Sequence, residues 1–281
     1  MANLFSGLES LGLGNLSEVE LFEHKEKEEK KVNQPVEVKE ADLLFDKTFV
    51  CKVCDNEFKS KMVRTGKVKL IGSDTDLRPK YQHVDSLKYD AIVCPVCGYA
   101  ALSRFYNYMT DNQAKLIKTN ISANFKGLKE GEEILTYDEA ITRHKLALVN
   151  AVVKHVKASE KAYTCLKLGW LCRGKAENLP EDTPNKEEVK KQLAEQEKEY
   201  IANAYEGFIG AFSKETFPMC GMDEMTLTYL TADLARQIGK YDAALRMLGR
   251  VMTAREANDR IKTKAREMKE MIRAESVKGE Q

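Results

Sequence analysis

Four regimes of hydrophobic and polar spacing follow one another along the chain. In residues 1–23 the apolar side chains Leu4, Phe5, Leu8, Leu11, Leu13, Leu16, Val19, Leu21 and Phe22 recur at irregular intervals, interrupted by Gly7, Gly12 and Gly14. That pattern gives either a weak amphipathic segment that docks elsewhere or a tail with no fold of its own. The stretch 24–40, HKEKEEKKVNQPVEVKE, carries too little apolar surface to offset the entropy of ordering it, and reads as a linker. From 41 to 101 the character changes. Short β-type runs in FDKTFVCKVC, KVKLIG and KYDAIVCPVC are punctuated by Gly66, Gly72 and Pro79. They predict a small sheet with two turns, each turn carrying a pair of cysteines.

From Leu102 onward the period is helical. Ile141, Leu146, Leu148, Val149, Val152, Val153 and Val156 recur near helical spacing. Ser159 is placed to N-cap the next helix, along which Ala162, Leu166, Trp170 and Leu171 follow. The turn NLPEDTPN, with two prolines, separates it from a helix beginning at Lys186. That helix becomes amphipathic through Tyr200, Ile201, Ala204, Tyr205, Phe208, Ile209 and Phe212, and is expected to end at Phe217-Pro218. Further helices are expected over about 224–237, 241–253 and 257–276. Ala232 and Ala244 with Gly239 between them, and Leu248 one turn further on, resemble a tetratricopeptide helix pair, in which small residues let two helices cross closely. Leu166, Gly169 and Trp170 suggest another first helix, with the 200–217 helix as its partner. The plainer alternative is a generic helical bundle. The expected class is α+β, mostly α: a tail and linker (1–40), a zinc-ribbon-like β module with an insertion (41–101), and a tetratricopeptide-like helical domain (102–281).

Composition narrows the function. Charged residues make up 32% of the 281, yet the net charge is only +1, which argues against a dedicated nucleic-acid coat. No apolar run is long enough to span a bilayer, so no membrane is expected. The first residues lack a basic n-region and a continuous apolar core, so they are not a secretory signal and a cytoplasmic protein is expected. Seven cysteines, an odd number, do not suit a disulfide framework.

Four of those cysteines carry the chemistry. Cys51, Cys54, Cys94 and Cys97 form two Cys-x-x-Cys pairs, and such pairs let tight turns aim two sulfurs at one ion. The expectation is one structural zinc ion per chain, held by four thiolates with no open position for catalysis. Pro95 fixes the backbone of the second turn, and Gly98 supplies its permissive conformation; Asp55 and Asn56 stand in the corresponding place of the first. A redox role would suit a single pair beside a βαβ unit, which is not the pattern here. His83, between the pairs, is an alternative ligand. Cys165 and Cys172, seven apart, are expected to share a buried stripe. The 39 residues between the pairs exceed a minimal ribbon, so an insertion is expected to project from it.

The pairs together with EFKSKMVRTGKVKLIGSDTDLRPKY and KYDAIVCPVCGYAA resemble an uncharacterised bacterial group, domain of unknown function family 2225, over roughly residues 43–250. The resemblance implies a cytoplasmic bacterial protein that combines a Cys-rich β module with tetratricopeptide-like helices, and no assigned activity. The first turn, CKVCDN, departs from the usual CPxCG form. The expected function is a non-enzymatic zinc-binding adaptor that engages a protein partner through its helical array. The alternative is a zinc-ribbon nucleic-acid binder using region 47–80, where nine Lys or Arg face four Asp or Glu and Phe58, Tyr81 and Tyr89 are candidate stacking rings. An enzyme built around Asp74, Asp76, Arg78 and Tyr81 is a third reading. It would require a pocket joining those residues to the helices.

Overall fold

Strands joined by tight turns make up most of the first part of the described residues. The computed structural model describes residues 38–128 and 133–279, with side chains to 275; the expected tail and nearly all of the linker lie outside the described residues. Leu44–Val50 (β1) pairs antiparallel with Glu57–Val63 (β2), from Leu44 opposite Val63 to Val50 opposite Glu57. Leu70–Ser73 (β3) pairs with Pro79–Tyr81 (β4), and Ala91–Val93 (β5) with Ala100–Leu102 (β6). The expected single small sheet is therefore three separate two-stranded hairpins. Their strands are three to seven residues long, and the first and third hairpins meet through their cysteines rather than by strand pairing.

Seven α-helices follow among the described residues, so the fold is α+β and mostly α. Helical structure begins at Asp111, not directly after Leu102, which closes β6. Asp111–Ile117 (α1) is opened by a reciprocal cap between Thr110 and Gln113, and Tyr137–Val153 (α2) by the same device between Thr136 and Glu139. α2 lies over β5 and β6. Its buried face is Ala140, Ile141, His144, Ala147, Asn150 and Ala151, whereas Val149 and Val152 are 51% and 53% exposed. Alanines at the crossing let the helix backbone approach the short hairpin closely, which a valine face would prevent.

Ala158–Glu177 (α3) and Lys186–Phe212 (α4) form a long antiparallel pair. A Cβ at Gly207 would come within 2.8 Å of the Ala162 Cβ, so glycine is what permits this crossing. Ser159 does not cap α3, which starts one residue earlier. The Glu215 carboxylate, arriving from beyond α4, instead accepts from the Ser159 amide at 3.1 Å and from its hydroxyl. α4 ends at Phe212, before Phe217-Pro218. Glu224–Gln237 (α5) is buried nearly all round, packed by α4, Tyr241–Thr253 (α6) and Asp259–Gly279 (α7). Its inward threonines return their hydroxyls to the backbone one turn earlier, Thr228 to Glu224 and Thr231 to Leu227, so no buried donor is orphaned there. Ala232, Ala244 and Leu248 are fully buried at the α5–α6 crossing, with Gly239 in a left-handed turn (φ 80°) between the helices.

Candidate metal centre and the acidic turn

The cysteine cluster is built twice from the same local rule. In the first knuckle the Cys51 amide donates to the Asn56 carbonyl at 2.9 Å and the Asp55 amide to the Cys51 carbonyl at 3.0 Å. In the second the Cys94 amide donates to the Tyr99 carbonyl at 2.8 Å and the Gly98 amide to the Cys94 carbonyl at 3.1 Å. The turn requires a left-handed residue after the second cysteine. Gly98 meets this with φ 73° and Asp55 with φ 58°, so CKVCDN makes the same knuckle without glycine. Gly98 is fixed for a further reason, because a Cβ there would lie 2.7 Å from the Phe125 ring. The Asn150 side chain on α2 donates to the Gly98 carbonyl at 3.0 Å and pins the knuckle from the other side.

The four sulfurs converge, all within 4.8 Å of one another. Contacts run across the hairpins: Cys51 Sγ lies 3.5 Å from Cys97 Sγ and Cys54 Sγ 3.7 Å from Cys94 Sγ. None is a disulfide. Cys51, Cys94 and Cys97 are buried, in a shell that includes Phe58, Ile92, Tyr99, Tyr106 and Ile117. These four residues could hold a metal ion. Without a cation the thiols would compete for charge. The hydrogen bond from Cys97 holds Cys51 down at about 5, the same bond pushes Cys97 upward, and burial raises Cys94 to about 11. The Tyr106 hydroxyl is buried beside the Cys51 sulfur, without a partner at full hydrogen-bond geometry. A thiolate at Cys51 would give it an acceptor, so the surroundings suit an ionised, metal-holding set. His83 is not part of this group.

The second constellation is the turn between β3 and β4. The insertion between the cysteine pairs does not project; its tip is buried against the helices. Asp76 is fully buried and accepts from Trp170 Nε1 at 2.9 Å, from Arg173 at 2.7 and 3.2 Å, and from Gln237 at 3.2 Å. The Tyr229 hydroxyl donates to the Thr75 carbonyl at 2.8 Å. Asp74 pairs with Arg173 at 3.1 Å and Lys80 at 2.7 Å, and these cations with Arg78 outweigh burial to lower its pKa. Burial would lower the Arg173 pKa, but Asp76 and Glu197 reverse this and hold it above its usual range. Asp76 is thus a buried anchor with saturated acceptors, held by Arg173, Trp170 and Gln237. Arg78 pairs locally with Asp74 at 3.7 Å and also reaches Glu177 at 2.5 Å.

The remaining candidates fall in structural places. His144 is fully buried, with Nδ1 2.8 Å from the Ala140 carbonyl. Cys165 and Cys172 are buried as expected, and burial raises both to about 11. Phe58 and Tyr89 lie inside, at 9% and 2% exposure.

A family model described as an uncharacterised protein conserved in bacteria (DUF2225) matches residues 44–272. No curated protein and no solved structure matches the chain. No helix among the described residues is long and apolar enough to cross a membrane.

Proposed function

The chain belongs to the bacterial family DUF2225, and we propose that it is a non-enzymatic cytoplasmic adaptor in which the cysteine cluster holds one structural Zn2+ and the helical region engages a protein partner. The closed donor set carries this reading. A Zn–S bond of about 2.3 Å in a tetrahedron separates sulfurs by about 3.8 Å, and a four-thiolate shell leaves no position for substrate. The cross-hairpin separations of 3.5 and 3.7 Å are close to that edge. Bound there, zinc would neutralise the thiolates and tie the two hairpins together.

The acidic turn covers part of α3 and α5, so the partner surface is assigned elsewhere on the tetratricopeptide-like array. α4, α5 and α6 enclose an apolar groove of about 380 Å³ formed by Ile209, Phe212 and Met247, with Arg246 and Arg250 beside them. This surface suits a segment that presents apolar side chains next to an acidic one. Immobilised protein carrying Met247→Asp and Arg246→Glu, with unchanged thermal stability, is expected to lose partners that the parent recovers from bacterial lysate. Equal recovery by both would defeat the reading. The nucleic-acid alternative has less to rest on, since two of its three stacking rings are buried and Lys61 and Lys80 are paired to Asp46 and Asp74.

A further inference from the structure

A second cavity, unrelated to the metal, opens where the insertion meets the helices. It measures about 480 Å³, within the range of small-molecule sites, and lies between the β3–β4 hairpin, the segment around His83–Lys88, and Tyr137 and Asn178 from α2 and the end of α3. Three cations, Arg78, Lys80 and Lys88, and two carboxylates, Glu40 and Asp85, form its charged lining.

Donors and acceptors in this lining are unequally satisfied. Glu40 already accepts from Lys88 at 3.0 Å and from the Tyr89 hydroxyl at 2.7 Å. Asp85 accepts from Tyr137 at 3.0 Å and from the Leu87 amide at 3.1 Å. The Tyr137 oxygen in turn accepts from Asn178 at 3.1 Å. The cations are less well matched. The Arg78 side chain is 5% exposed; Nη2 pairs with Glu177 at 2.5 Å and Nη1 lies 3.7 Å from an Asp74 oxygen, an ion pair without hydrogen-bond geometry, while Nε has no partner. Arg78 cannot shed its proton, and buried donors without acceptors are costly. Lys80, at 40% side-chain exposure, pairs with Asp74 at 2.7 Å and more loosely with Glu177 at 3.8 Å, and its ammonium still has N–H capacity to spare. Asp74 and Glu177 pair with Arg78 and Lys80 from outside the lining but leave donor capacity over, and a ligand bringing negative oxygen would supply further acceptors.

We propose that this cavity binds a small organic anion bearing a phosphate or carboxylate group, with Arg78 and Lys80 drawing the anionic group and Tyr81 and Tyr137 facing its body. Such a ligand would bridge the insertion to α2 and α3 and tighten the docking of the acidic turn. This goes beyond the adaptor reading and does not depend on it, because none of these residues contributes to the α4–α6 groove.

The protein carries its own reporter. Trp170 is the sole tryptophan, and its Nε1 bonds Asp76, two residues from Arg78. The metal-loaded full chain is titrated at constant ionic strength with inorganic phosphate, with adenosine monophosphate and with malonate, following Trp170 emission and heat of binding. Saturable binding of at least one probe with Kd below about 1 mM is expected. Comparing phosphate-bearing probes with malonate identifies the head group. Lys80→Gln and Arg78→Gln are each expected to weaken binding at least about tenfold, roughly 1.4 kcal/mol, while Lys118→Gln, on the π turn after α1, leaves it unchanged. If Arg78→Gln does not fold, the partly exposed Lys80→Gln decides. No saturable binding of any probe up to about 10 mM, or equal affinity in Lys80→Gln, would overturn the proposal and leave the cavity to water.

Discussion

Arg173 on α3 reaches Asp76 in the β3–β4 turn at 2.7 Å, across 97 residues of sequence. The pair ties the cysteine-bearing half to the helices. Arg173→Met would strand a fully buried carboxylate and is expected to cost about 3–5 kcal/mol in urea unfolding. Asp76→Leu with Arg173→Met should recover part of that loss, because the fully buried charge is gone, although Asp74 and Glu197 still lose the guanidinium. A double variant as unstable as the single one would mean that Trp170 and Gln237, rather than charge pairing, determine the cost.

Freshly purified protein is expected to contain one equivalent of zinc by elemental analysis. Cys97→Ser should lose it and unfold both knuckles, since site formation and folding are linked. Under half an equivalent in the parent would count against the site.

Gly98→Ala should be more damaging than an ordinary surface change. It places a Cβ at positive φ and against Phe125 at 2.7 Å. A loss of about 1–3 kcal/mol is expected, with weaker zinc retention under chelator challenge. Asp55→Gly, at the matching place in the first knuckle, should be tolerated or mildly stabilising.

His144 gives a pH signature. Burial, only partly opposed by Asp90, lowers its pKa from 6.5 to about 4, and Lys167 and Arg143 push the same way. Between those values the unfolded chain binds a proton that the folded chain does not. This contribution is therefore intact above pH 6.5 and falls as pH drops toward 4, by on the order of 3 kcal/mol. Glu160, Glu197 and Asp233 are held above their usual values and act in the opposite sense at acid pH. The measurement is thus the difference between parent and His144→Leu, whose unfolding free energy should vary less over this window. Identical pH profiles would rule out His144 as the source.

Val149 and Val152, exposed on α2, should accept Lys with a change within about 0.5 kcal/mol, measured by thermal unfolding. A large loss at either would mean that this face is covered by something outside the described residues.

The parts of this molecule legible in the sequence were those fixed over short distances. Cys-x-x-Cys spacing specifies a knuckle almost by itself, and Ala232, Gly239 and Ala244 mark a helix crossing because small residues have few other reasons to stand there. What depended on remote partners was not legible. Apolar periodicity on α2 pointed to its valines, but the short β5–β6 hairpin selected its alanines. Ser159 looked like a cap until Glu215 arrived from 56 residues away. Asp74 and Asp76 stood out as a candidate enzyme site with Arg78 and Tyr81, and nothing in their neighbourhood named Arg173 or Gln237.

The distance from Asp76 to its partners also orders the birth of the molecule. Once Cys97 has left the ribosome, all four cysteines are available and the two ends of the insertion can be stapled together. At that moment Arg173 has not been made, and Gln237 lies 161 residues beyond Asp76. With a metal bound at that stage, the stapled loop would wait with its acidic tip in water, where two charged aspartates would keep it soluble. Docking follows when α3 and then α5 are synthesised. A tip of apolar residues, equally able to fill the finished socket, would have to survive that interval exposed.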